Sequence, residues 1–461
     1  MRTTNRFGIP NPSLPFLLLL ALLGVLLLAG GASRADATGQ IIVRAASWLC
    51  LILLVLFGRR LSFERGKVAF IFLAAAIALA LIQVVPLPAS LWTLLPGRDV
   101  LLGASADGSS QPWRPWSMAP TMTINALSAL VVPLAVLCLT MGLEKAEWRL
   151  LPGVLLISVI ISAALGALQA SGLAFDNPLI NESVGFVGGN FANRNHFALF
   201  LAFGCLLAPV WAFQDGRRPG WRAPGALGLV LVFALEILAS GSRAGLVVGV
   251  MAFATAPLIV WRGIQTMLKG QPRGVFVAMI FAVLAAVAIV IVLSITTDRA
   301  VSINRALVMD PGQDMRGRGL PVVLAMIWKY FPWGSGLGGF DPIFRINEPL
   351  GLLKPTFFNH AHNDLIEVVL DAGLFGLAIL LAGIVWWGWA SFRAWRSAAR
   401  SRHMPVRLGS TMLLLVMVAS AFDYPARTPI IMAMIVIAAV WLGDQREPRE
   451  ASALPGTDQH L

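Results

Sequence analysis

NHAHNDLIEVVLDAGLFGL, residues 359–377, begins with two histidines, an asparagine and an aspartate, then turns into a glycine-punctuated apolar helix long enough to enter a bilayer. That reading decides the fold, because composition extends it to the whole chain. Of 461 residues, 57% are hydrophobic and 13% charged, against about 25% charged in a soluble protein. Hydrocarbon offers the backbone no hydrogen-bond partner, so only helices or closed barrels span it. The apolar runs here are continuous Leu, Val, Ile and Ala rather than alternating, which selects helices.

A window of roughly 19 residues finds such runs at 13–31, 41–58, 67–86, 123–142, 150–170, 195–213, 223–240, 243–261, 275–295, 366–391, 408–422 and 428–443. The expected fold is therefore an all-α polytopic membrane protein with about 12 transmembrane helices. The first run, behind Arg2 and Arg6, has the look of a secretory signal, but so many further spans favour a retained anchor. The last two are short enough to form one re-entrant pair. Expected units are helices 1–9 within 1–295, interrupted by a long outer loop at 87–122; a large outer loop at 296–365 with short helices; helices 10–12 within 366–443; and a disordered cytoplasmic tail at 444–461. The tryptophans and prolines of the 87–122 loop suit a membrane interface.

Basic residues resist translocation. Arg59, Arg60, Arg65, Lys145, Arg149, Arg217, Arg218, Arg262, Arg393 and Arg396 fall in alternate short loops, which puts both termini in the cytoplasm. The net charge of +12 is then a fringe facing anionic lipid and calls for no nucleic acid. Cys50, Cys138 and Cys205 lie far apart inside apolar runs, so no disulfide framework or metal-type CxxC is present.

Four arginines sit on the other side, together with the two histidines. Arg194 lies in GGNFANRNHFALF, Arg243 in the tight turn ASGSRAGLV, and Arg316 and Arg318 in DMRGRGLPVVLAMIWKYFPWGSGLGGF. A guanidinium is permanently charged, and its planar fork of donors matches phosphate oxygens. Arginines gathered at one rim therefore suit a diphosphate. The plainer reading of each is an interfacial anchor that snorkels to headgroups. The GSGLGG run at 334–339 has no βαβ context and reads as a flexible turn, not a nucleotide site.

The opening stretch admits three readings. His360, His362, Asp364 and Glu367 could ligate a metal, although His-x-His without a further clustered ligand is a poor metal signature. Asn363 and Asp364 could cap backbone amides at a helix start. Or an imidazole could act as a general base, oriented by Asp364 or Glu367. Gly373 and Gly376 would then admit close packing further down the same helix. Apart from Arg44 and Glu236, the spans read as nearly charge-free, unlike a transporter with ionisable groups at the membrane midplane.

In order along the chain, GGNFANRNHFALFLA, SGSRAG, an arginine followed by WKYFPWGSGLGGF, and HAHNDLIEVVLDAGLFGLAILL resemble the motifs of the O-antigen ligase and O-antigen polymerase superfamily, covering about 190–390 with a compatible helix count on both sides. The resemblance implies glycan transfer from a polyprenyl (undecaprenyl) diphosphate carrier to an acceptor hydroxyl, metal-independent and inverting, with no cofactor. It also implies residence in the bacterial inner membrane, with the active site on the periplasmic side. The family's essential residues fall on Arg243, Arg318 and His362. Arg194, Arg316, His360 and Asn363 are expected to contribute to substrate binding. Expected partners are the carrier-linked glycan donor, a glycan or lipid A-core acceptor, and membrane lipid. A lipid-linked sugar transporter and a protein O-oligosaccharyltransferase are the alternatives.

Overall fold

The computed structural model describes residues 12–58, 61, 64–103, 110–172, 177–180, 187–215, 219–269, 272, 274, 315–353, 358–396 and 404–444. The ninth expected span at 275–295, the start of the large loop and the tail beyond Asp444 lie outside the described residues.

Each apolar run within the described residues is a helix. The first eight are α1 (Leu14–Ala29), α2 (Thr38–Phe57), α3 (Lys67–Val84), two short turns α4 (Ala89–Trp92) and α5 (Asp99–Leu102), α6 (Pro120–Ala129), α7 (Val131–Met141) and α8 (Lys145–Ala170). The next four are α9 (Arg194–Phe213), α10 (Arg222–Ala239), α11 (Arg243–Ile259) and α12 (Trp261–Leu268). The chain then continues through α13 (Met315–Tyr330), α14 (Phe340–Asn347), α15 (Asp364–Arg396), α16 (Met404–Ser420) and α17 (Pro429–Gly443). Strand structure among the described residues is one short antiparallel pair, β1 (Pro86–Leu87) with β2 (Arg114–Pro115), in register Pro86 to Pro115 and Leu87 to Arg114.

Seven described segments are long and apolar enough to cross a membrane, α6 and α7 counting as one. The pair α11 and α12, bent by 57°, makes an eighth if taken together. Helices α1, α16 and α17 are apolar but shorter.

Helix α9 is the axis of the bundle. Every residue from His196 to Ala208 is buried, and α8, α10, α11 and α16 pack around it. Its N-terminus is set by Asn193, whose side chain accepts from the Asn195 amide (2.8 Å). That of α11 is set by Ser242, which accepts from the Gly245 amide (2.7 Å). Such caps satisfy amides that the helix leaves open. A side chain on Gly245 would press on Ala198 at 2.4 Å, so small residues permit the close approach of α11 to α9.

Arg44 donates from its two Nη atoms to Asn125 (2.8 Å), Ser128 (2.7 Å) and Gln40 (3.2 Å), which gives a charge inside α2 polar partners other than a carboxylate, while its buried Nε has none among the described residues. The expectation of otherwise charge-free spans needs correction at α15. Asp364, Glu367 and Asp371 occupy its first turns and are all buried. The helix then breaks at Gly373, whose backbone (φ 56°, ψ −139°) is not helical. A β-carbon there would sit 2.1 Å from the Pro332 carbonyl oxygen. Gly373 is thus a kink built for a crossing strand of chain, and not a smooth helix position.

The chain that crosses is the glycine run at 334–339. Ser335 N donates to Leu370 O, Gly336 N to Asp371 O (both 2.9 Å) and Leu374 N to Pro332 O (2.8 Å). It is a turn, as expected, but buried and bonded rather than flexible. The 87–122 loop closes over it. Arg98, 2% exposed, donates to the carbonyls of Pro96 (2.6 Å), Trp116 (2.9 Å) and Gly334 (2.8 Å). Burial lowers the Arg98 pKa to about 10. Trp92 and Trp116 are buried here, with Trp116 edge-on to Trp333 (5.3 Å) and Phe375 (5.7 Å). These two rings knit the loop together, whereas Trp113 of the same loop is 68% exposed.

Candidate active site

The site forms where four chain segments meet: the start of α9, the start of α11, the residues before α15, and the loop FDYPARTP at 422–429 between α16 and α17. His362 lies at the centre. Its backbone is left-handed (φ 52°), among the described residues the one non-glycine with positive φ. Such strain persists only when the surroundings impose it. Its Nδ1 lies 3.0 Å from Asp423 Oδ1. A carboxylate only accepts, so Nδ1 carries a proton, and in the neutral imidazole Nε2 keeps its lone pair. Among the described residues Nε2 has no hydrogen-bond partner.

Asp423 is 1% exposed and fully engaged. Its Oδ2 accepts from the side-chain amide of Asn193 (2.9 Å) and from that of Asn195. Asn195 Oδ1 in turn accepts from Ser242 Oγ at 2.7 Å. An unbroken relay therefore links His362 through Asp423 and Asn195 to the cap of α11, whose first residue is Arg243. Arg194, first residue of α9, lies between the two asparagines. Both arginines are half-buried.

A second imidazole stands beside the first. His360 Nδ1 is 2.9 Å from Glu367 Oε1, and the other oxygen of Glu367 accepts from the Ala361 amide at 2.8 Å. Tyr424 packs between the imidazoles, its ring centroid 4.3 Å from His360 and 5.0 Å from His362, and meets His196 edge-on at 5.3 Å. His196 is buried against Thr428 Oγ1 (2.8 Å). Three of the five histidines thus surround one of the two tyrosines.

Arg427 holds this loop to α15. Its Nε donates to Asp364 Oδ1 (3.1 Å), and its Nη2 lies 3.1 Å from Glu367 and 3.8 Å from Asp371. Burial works against the cation, but Glu367, Asp364 and Asp371 outweigh it and keep the pKa above the ordinary arginine value. Asp364 also accepts from Ser420 Oγ (3.1 Å) and the Ala426 amide (3.2 Å).

The carboxylate that orients His362 is therefore Asp423, and the expectation of Asp364 or Glu367 in that role is corrected: Glu367 serves His360 and Asp364 serves Arg427. Capping of α15 falls to Asn363 alone. Its oxygen accepts from the Ile366 amide (3.1 Å) and its nitrogen donates to Ala421 O (3.0 Å), so the whole side-chain amide is engaged in the fold. The two imidazoles are committed to different carboxylates, and the described residues contain no group of three or more His, Cys, Asp or Glu side chains placed to hold a metal ion.

Arg318 is on α13 and exposed, with Nη2 donating to Gly351 O at 2.8 Å. Its neighbour Gly319 faces Phe358, 3.2 Å from where a β-carbon would sit, and Phe358 packs on His362 at 5.3 Å between ring centroids. The helix that carries Arg318 thus abuts the site through Phe358, in a cluster that also includes Ala361, Ile366 and Leu370. The side chain of Arg316 lies outside the described residues.

Asp423, Tyr424 and Arg427 escape sequence reasoning because they occupy a short turn between apolar runs, with Asp423 61 positions from His362. The one available signal is five polar or aromatic residues within an eight-residue turn of a chain that is only 13% charged.

Residues 227–381, about a third of the chain, match the model of the family described as O-Antigen ligase. The match contains Arg243, Arg318, His360 and His362, and ends before the 422–429 loop. No curated protein matches the sequence.

Proposed function

We propose that the chain transfers a glycan from a polyprenyl diphosphate carrier to an acceptor hydroxyl, as ligase or polymerase, a reading supported by the match of residues 227–381 to the O-Antigen ligase family and by the many described helices long and apolar enough to cross a membrane. The observation that carries the reading is the His362–Asp423 pair, joined by hydrogen bonds to the turn that begins with Ser242 and Arg243.

The carrier's lipid lies among the spans and its diphosphate at the periplasmic rim, bound by Arg243 and Arg318 with Arg194 beside them. Nε2 of His362 takes the proton of the acceptor hydroxyl. The hydroxyl oxygen attacks the anomeric carbon from the face opposite the phosphate, and the C–O bond to the phosphate breaks with its electron pair leaving on the diphosphate. The configuration inverts, and no metal is used. Preorganised guanidinium groups oppose the charge that grows on the leaving group more strongly in the transition state than in the ground state.

One detail favours an anionic ligand at the helix starts. Arg194 and Arg243 are the first residues of α9 and α11, where the macrodipole is already positive and cations weaken the helix. Guanidinium groups beside the open amides of a helix start suit phosphate oxygens. A driving force is also required, and a carrier diphosphate supplies it where no nucleoside triphosphate is present.

The test is transfer by the purified chain in proteoliposomes from a polyprenyl diphosphate glycan to added acceptor. His362→Ala is expected to abolish turnover while the protein remains monodisperse, and near-normal transfer by that variant would refute the assignment. In cells, a deletion leaving single repeat units on the surface would mark a polymerase, and long chains stranded on carrier lipid would mark a ligase.

A further inference from the structure

Helix α13 is apolar on both faces. Val323, Met326 and Tyr330 are buried, packed in a cluster with Phe340, Ile343, Phe344 and Leu370. On the opposite side Leu320, Leu324 and Trp328 recur every four residues and are all exposed, Trp328 at 81%. The short 3₁₀ turn Leu350–Leu352, tied to Arg318 through the Gly351 carbonyl, extends the patch with Leu350, 86% exposed. Water-facing helices carry polar residues there, so an apolar stripe of this kind marks a contact surface.

We infer that this face of α13 rests in the lipid of the leaflet nearest the active site, as an in-plane interfacial helix. Three observations select lipid as the occupant. First, the stripe continues a lipid-facing surface. Just beyond α13, partly exposed Trp333 lies 6.0 Å from the Phe375 ring, and Phe375 and Leu374 are exposed on the span α15 directly after its break. Second, the outermost residue is a tryptophan, the side chain that prefers the headgroup level. Third, the charged residues on α13 are Arg316, Arg318 and Lys329, the sign that anionic headgroups attract.

The test uses the full chain with Cys50, Cys138 and Cys205 replaced by serine and Trp328→Cys carrying an environment-sensitive NBD dye. It is reconstituted without any polyprenyl lipid in vesicles containing doxyl-labelled lipid. Val385→Cys, at an exposed position on the span α15, is the reference for full lipid contact. Doxyl quenching at position 328 within about twofold of the reference, with weak quenching by aqueous iodide, is the expected result. Iodide quenching equal to that of free dye, without doxyl quenching, would overturn the placement. So would lipid contact that develops only after polyprenyl diphosphate is added, since the face would then belong to the carrier. Lipid contact requires no turnover, so a chain inactive in the transfer assay still passes or fails here.

Discussion

Because its carboxylate receives the Nδ1 proton of His362 and the amides of Asn193 and Asn195, Asp423 fixes both the ring orientation and the nitrogen available for chemistry. Asp423→Asn tests this. The two asparagine amides require an acceptor at Oδ2, which would turn the new amide nitrogen toward His362 and force its Nδ1 to accept. The proton then moves to Nε2 and the base is lost. Turnover should fall by about 10² to 10⁴, the usual worth of a general base, with KM for the donor little changed, as steady-state assays in proteoliposomes would show. Arg243→Lys should be nearly as damaging as Arg243→Ala, because an ammonium lacks the planar fork, and donor titrations of the two variants check it. The histidines and arginines were legible as a set because their residue types are rare in a chain this apolar. Their partners were not, since hydrogen bonding across 61 positions leaves no periodicity.

At the scale of elements, the site depends on one kinked helix and one turn. Arg427 offsets three buried carboxylates of α15, and removing one member of such a group leaves uncompensated charge. Arg427→Met should cost about 3–5 kcal/mol, read as earlier thermal unfolding in detergent, and adding Glu367→Gln should restore part of it. Gly373→Ala meets both a positive φ and the Pro332 carbonyl at 2.1 Å. A loss of at least about 1–3 kcal/mol should appear as reduced monodisperse yield, because the glycine turn can no longer cross α15. Helix positions followed from apolar run length alone: runs such as 195–213 and 223–240 became Arg194–Phe213 and Arg222–Ala239. The break at Gly373 did not, since a glycine in an apolar helix reads equally well as a packing notch.

As a whole molecule, the protein surrounds α9 with spans and gathers its polar chemistry at one end of them. A transporter would need a membrane separating two compartments, whereas transfer needs only donor, acceptor and site. Activity should therefore persist in detergent micelles, detected as a mass shift of the acceptor, and its absence there with uptake restored in vesicles would favour transport. Buried Glu236, whose carboxylate oxygens have no hydrogen-bond partner among the described residues, has no part in this scheme. The 422–429 turn carries a practical consequence for anyone dissecting the chain. A fragment ending at residue 381, where the family match ends, would keep the histidines and lose the anion that makes one of them basic at the correct atom. Chimeras with relatives should therefore be cut so that the C-terminal hairpin travels with the motif it serves, because inheritance of the domain and inheritance of a working proton acceptor follow different seams.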